Sequence, residues 1–295
     1  MKSPSAVILS RRNALLAVLL AFIGGIGPTS FSASGAAKIK GQRVFTAGHS
    51  FHVFMPAILN DIAGKASVDG HVLAGLQGIG GSRVIQHWDL AGEKNRVKPA
   101  LESGKVDVLT LSPIYLPDEG IEKLTKLALE HNPAVRVTVQ EFWLPFDSQP
   151  AWAKRPKTID RDAKTIAELR EAHAGYFESM DEHVRALNRQ FGKPVLYVVP
   201  VGQAVLALRE KIINGDVPGI KKQSDLFTDV LGHVHAPIRV LAAYCHFAVI
   251  YRTSPVGLPV PLALGKQTEA KELNGLLQKM AWDAVSKHPL SGVKP

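Results

Sequence analysis

The chain has 295 residues, of which 46% are apolar, 21% charged and 7% aromatic. This apolar content excludes a disordered polymer, and the length suits one large domain or two small ones. Lys and Arg outnumber Asp and Glu by 35 to 26, and no internal repeat or heptad run points to a solenoid or a coiled coil.

The first segment reads as a leader. Lys2, Arg11 and Arg12 precede an apolar run from Ala14 to Gly27, and the small residues Gly35-Ala36-Ala37 stand just before Lys38. That order predicts a secretory signal peptide over 1–37, leaving 38–295 as the domain. The run is too short and too interrupted by glycine to span a bilayer comfortably, so no lasting membrane anchor is expected. Ser10-Arg11-Arg12 resembles a twin-arginine signal, and an ordinary Sec leader fits the same residues. The expectation is a secreted or periplasmic protein. Three of the 35 basic residues and none of the 26 acidic ones lie in 1–37, so the remainder carries +6. This charge is diffuse, with Lys221-Lys222 only a pair, and it excludes nucleic-acid readout. One cysteine, Cys245, excludes an intrachain disulfide. It lies in LAAYCHFAVIY and reads as a small buried residue.

Five apolar runs follow in chain order: 43–50, 71–78, 106–112, 135–143 and 194–202. Each is nearly continuous in Val, Leu and Ile, as in strands buried on both faces of a parallel sheet. Between and after them the spacing predicts helices. The clearest starts at Ile159, with Ala163, Ile166, Leu169, His173, Phe177, Met180, Val184, Leu187 and Phe191 on one stripe. His173 on that stripe reads as a packed, hydrogen-bonded histidine. Further helices are expected over 119–131, over 203–214 with Gly215 just past its end, over 238–251 and over 268–286. The Pro-containing stretches 143–158 and 253–263 read as surface loops. The fold class is therefore α/β, a three-layer α/β/α sandwich around a doubly wound, mainly parallel five-stranded sheet.

Ligands of such sheets bind at the carboxyl ends of the strands. After the first run comes Gly48-His49-Ser50, where the serine is either an exposed nucleophile or a helix cap. After the second comes Gly78-Ile79-Gly80-Gly81-Ser82-Arg83, a loop that aims backbone N–H groups at a ligand or simply turns. It lacks the spacing of a phosphate loop. Before the last core helices comes Asp229-Val230-Leu231-Gly232-His233-Val234-His235. A histidine beside a carboxylate completes a nucleophile, base and orienter set. The rival is a metal-dependent hydrolase using His233 and His235, which lacks an evident third ligand.

These blocks, in this order, resemble the SGNH (GDSL-like) hydrolases over most of residues 43–260. VFTAGHSFH resembles the first block, with His49 where many members carry Asp. GIGGSR resembles the glycine block and LFTDVLGHVHAP the terminal Asp/His block. YCHFAVIYRTSPVGLP resembles the tail of bacterial secreted members. The resemblance implies an ester hydrolase with Ser50 as nucleophile, His233 as base and Asp229 as orienter. It also implies an oxyanion hole from Ser50, Gly80 or Gly81, and Ser112, with no cofactor and no metal. Two departures stand out. The family usually places Asp three residues before His, whereas Asp229 is four before His233 and six before His235. The usual Gly-x-Asn after the third strand is here Leu111-Ser112-Pro113. The expected substrate is a small-molecule or polysaccharide ester, with O-acyl groups on carbohydrates first. A non-catalytic binding protein on the same fold is the alternative.

Overall fold

Largely apolar runs flanked by turns give five strands. They are β1 Arg43–Gly48, β2 Val72–Gly78, β3 Val108–Leu111, β4 Arg136–Gln140 and β5 Leu196–Val199. The computed structural model describes residues 39–148, 155–265 and 269–294. The expected leader lies outside the described residues. All five strands pair in parallel, in the order β2-β1-β3-β4-β5. The helices are α1 Met55–Lys65, α2 Val84–Asp89, α3 Val97–Glu102, α4 Glu119–His131, α5 Ile166–Gln190, α6 Val201–Ile213, α7 Ala236–Tyr251 and α8 Ala270–Lys287. Right-handed crossovers put α1 on one face of the sheet and α2 to α5 on the other. α7 packs between α1, α6 and α8. The fold is the expected doubly wound α/β sandwich, in the flavodoxin-like strand order.

α7 is apolar all round and is buried from Val240 to Tyr251, as a helix at the centre of a layer has to be. Cys245 lies within it, fully buried, and burial raises its thiol pKa. That is the inert cysteine the sequence suggests.

Three expectations need correction. β2 is not buried on both faces. It is an edge strand whose Val72, Leu73 and Leu76 are exposed. The long helix starts at Ile166, not Ile159, because Thr165 caps it in a reciprocal box with Glu168. Ahead of it, Asp160 accepts from the N–H groups of Asp162 and Ala163 and holds a turn. Finally, 143–147 is no surface loop: Trp143, Leu144, Pro145, Phe146 and Asp147 are all buried. The start of the last helix, Thr268, lies outside the described residues.

Candidate active site

The direction of the crossovers reverses between β1 and β3, and the crevice at such a switch point is where open α/β sheets bind ligands. Ser50 lies there, two residues beyond β1. The backbone turns at once, with His52 and Val53 N–H both bonding to His49 O. Helix α1 begins only at Met55, after an N-cap at Phe54. Ser50 is therefore not the helix cap, and its hydroxyl is free for another partner. That partner is His233, whose Nε2 lies 2.9 Å from Ser50 Oγ.

His233 is carried by a short loop closed at its base. Thr228 N–H donates to His233 O, and His235 N–H donates to Leu226 O. Gly232 takes a φ of +112° inside this loop, a conformation that costs a side-chain-bearing residue steric strain. The turn folds Asp229 back over the four-residue spacing. Its Oδ1 accepts from the N–H groups of Gly232 and His233. Its Oδ2 lies 2.6 Å from His233 Nδ1. Burial pushes the Asp229 carboxyl up, but the ring and backbone donors outweigh it and hold the group below its ordinary value. An ionised carboxylate only accepts, so Nδ1 carries a proton. In the neutral ring Nε2 is then the acceptor facing Ser50. His235 is exposed and serves as the N-cap position of α7. Among the described residues, no third donor joins His233 and His235 into a metal-ligand cluster.

The loop is braced from behind. Arg161 donates to the carbonyls of Asp229 and Val230, and Trp143 Nε1 donates to Gly232 O at 2.8 Å. Arg161 in turn pairs with Asp147, which also takes a two-pronged contact from Arg209 at 2.8 and 2.9 Å. All three charges are buried. Phe51 stacks on Trp143 and meets the His233 ring edge-on. His173 is buried, donating from Nδ1 to Leu169 O and accepting from Leu144 N–H. It is the structural histidine the sequence suggests, and it fixes this same stretch.

The far wall holds the remaining residues. Gly81 lines a small cavity of about 40 Å³ together with His49, Ser50, Phe51, Ile114 and Phe142. Gly80 does not line it. Among the described residues, neither Ser50 N–H nor Gly81 N–H finds a hydrogen-bond partner. The glycine loop is held by Asp118, whose carboxylate takes the N–H groups of Val84, Ile85 and Gly120. His49 is buried, and burial with the repulsion of His52, His87 and His233 drops its pKa to about 3. The ring is thus neutral. Its Nδ1 accepts from Phe51 N–H, so the proton sits on Nε2, 3.2 Å from Ser112 Oγ. Ser112 accepts there and keeps its own hydroxyl proton to donate elsewhere. A larger cleft of about 710 Å³ shares Ile114 with the small cavity and runs along Tyr115, Glu168 and Tyr176.

No family profile and no curated protein matches this sequence. Among solved structures, the fold is similar to a DUF4886 family protein from Bacteroides uniformis. The two are 14% identical with a TM-score of 0.52, covering 85% of this chain and 95% of that one. A protein from Parabacteroides merdae, provisionally named a GDSL-like lipase, aligns over 70% of this chain and 96% of its own. It is 14% identical, with a TM-score of 0.41. The first likeness is one of fold alone, and the second is too loose to add to it.

The structure thus brings Ser50, His233 and Asp229 into one line, with Gly81 and His49 beside them. It leaves His235 and Gly80 out, and Ser112, buried and outside the small cavity's lining, meets the site through His49. Sequence reading missed Arg161, Asp147 and Trp143. The one available signal was a tryptophan and acid-rich stretch directly after a buried strand.

Proposed function

We propose that this chain is a serine hydrolase of the SGNH (GDSL-like) type that cleaves carboxylic esters. One observation carries the reading: the unbroken relay from Asp229 through His233 to Ser50, with links of 2.6 and 2.9 Å. Base and nucleophile lie within the reach that proton transfer requires.

In this mechanism Ser50 Oγ attacks the ester carbonyl as His233 Nε2 takes its proton. Asp229 fixes the ring orientation and stabilises the imidazolium that forms. The tetrahedral oxyanion meets the unpaired N–H groups of Ser50 and Gly81, with the Ser112 hydroxyl as third donor in place of the family's asparagine. His233 then gives its proton to the leaving alcohol, and the acyl group stays on Ser50. Water, deprotonated by the same ring, attacks the acyl carbonyl and releases the carboxylic acid. The scheme needs no metal and no cofactor.

The 40 Å³ cavity beside Ser50 admits a small acyl group. The 710 Å³ cleft with its mixed polar rim suits a bulky hydrophilic alcohol. Together with the leader expected over residues 1–37, this supports O-acyl groups on exported carbohydrates as the substrate class. The test is labelling by a fluorophosphonate and turnover of a short-chain chromogenic acetate. The wild type reacts with both, and Ser50→Ala, folded, reacts with neither. A folded wild type inert to both probes sinks the hydrolase reading and leaves a binding protein on this fold.

A further inference from the structure

We propose that Glu141, Asp181 and His288 form a second site, which binds a divalent metal ion of the zinc kind. The three come from separate elements. Glu141 follows β4, Asp181 lies on α5, and His288 is the residue just beyond α8. None of them lines the serine cavity.

Their donor atoms lie within 4.8 Å of one another. His288 Nε2 is 3.6 Å from Glu141 Oε1 and 3.4 Å from Asp181 Oδ1. Those separations are long for hydrogen bonds. They match the edge of a tetrahedron about 3.4 Å long, which metal–ligand bonds of about 2.1 Å require. Glu141 is fully buried, yet its Oε2 has no hydrogen-bond partner, and neither does Asp181 Oδ1. A buried carboxylate oxygen without a donor is costly and calls for an ion or a proton.

The outer contacts of the two carboxylates are those of a ligand set. Gln203 Nε2 donates to Glu141 Oε1, and Arg185 holds the other oxygen of Asp181. A cleft of about 510 Å³, lined by Asp181, Gln203 and His288, gives access from solvent. One imidazole with two carboxylates suits zinc over calcium or magnesium, which favour all-oxygen shells. Ligation through Nε2 moves the ring proton to Nδ1. The 3.2 Å hydrogen bond that Leu290 N–H gives to Nδ1 is then exchanged for the metal–nitrogen bond. An ion here ties the end of α8 to the residue after β4 and to α5.

The test uses the full-length, untagged protein stripped by chelator and titrated calorimetrically with zinc chloride. One equivalent binds per chain, and zinc in about thousandfold excess over its Kd raises Tm by about 5 °C or more. Glu141→Gln and His288→Gln, each shown folded by circular dichroism, lose that equivalent and the Tm rise. His233→Ala keeps both, which separates this site from the serine. Cobalt(II) on the wild type supplies a readout that needs no variant, since four-coordinate cobalt absorbs far more strongly than six-coordinate. Three results overturn the proposal: no saturable zinc binding by the wild type, binding that survives both ligand substitutions, or a six-coordinate cobalt spectrum. Loss of the zinc equivalent in His233→Ala overturns it as well.

Discussion

Ser50 and His233 face each other because each escapes the role its position would ordinarily give it. Ser50 precedes a helix but does not cap it. His233 precedes a helix too, but its ring turns back to Asp229 instead of joining the α7 terminus. The single-residue consequences are therefore unequal. Ser50→Ala is expected to lower kcat for a chromogenic acetate by about 10⁴-fold or more. His233→Ala does the same, whereas His235→Ala changes kcat/KM little, because that ring is exposed and outside the relay. Asp229→Asn keeps the shape but replaces an acceptor by an amide, and about 10²–10⁴-fold is lost as the wrong tautomer is favoured. Steady-state kinetics on the four variants checks this ordering. A larger loss in His235→Ala than in His233→Ala would contradict the relay. Ser112→Ala should cost less than the nucleophile, about 10²–10³-fold in kcat with KM nearly unchanged, the pattern for a donor used in the transition state.

The loop from Thr228 to His235 has too little core of its own to hold a fixed shape. Its rigidity is borrowed from Arg161, Trp143 and the Asp147–Arg209 pair beneath. Asp147→Ala leaves two guanidinium groups buried without their counter-ion, and a loss of about 3–5 kcal/mol is expected in urea unfolding. Arg161→Ala leaves the Asp147–Arg209 pair intact but frees the carbonyls of Asp229 and Val230. It should lower kcat more than it destabilises the fold, and a variant with wild-type kcat would show that the brace is dispensable. This brace is also what the sequence conceals. All five strands were legible from their apolar runs, and α4 to the residue. Gly-x-Ser, the glycine pair and Asp/His were legible because each follows or precedes such a run. Arg161 was not, since the carbonyls it holds are 68 and 69 residues away, and no local pattern marks a charge as buried. The same blindness placed β2 in the core: apolar content tells nothing of whether a strand ends up at an edge.

Across the whole molecule, buried neutral histidines set the response to acid. His49 falls from the ordinary 6.5 to about 3, and His52, His87 and His173 fall to about 4, burial being the main cause in each. His246 lies well below its ordinary value too. Between pH 6.5 and about 4 the unfolded chain protonates these rings and the native one does not. Stability is then highest above 6.5 and declines through that window by about 1.4 kcal/mol per pH unit for each proton taken up. Burial raises the Glu141 carboxyl, which works against the trend. Urea midpoints measured from pH 7 to pH 4.5 should drop steeply; a flat profile would mean the rings are charged in place. The longest-range consequence concerns order in time. The Ser50–His233 hydrogen bond joins residues 183 positions apart. A growing chain therefore displays its serine long before the residue that would arm it exists. On the proposed mechanism, the hydroxyl turns reactive only when the loop before α7 has docked beside β1, and an incomplete or half-folded copy is chemically silent. In refolding, capture of a phosphonate at Ser50 should lag behind the burial of Trp143, a built-in signal that assembly is complete.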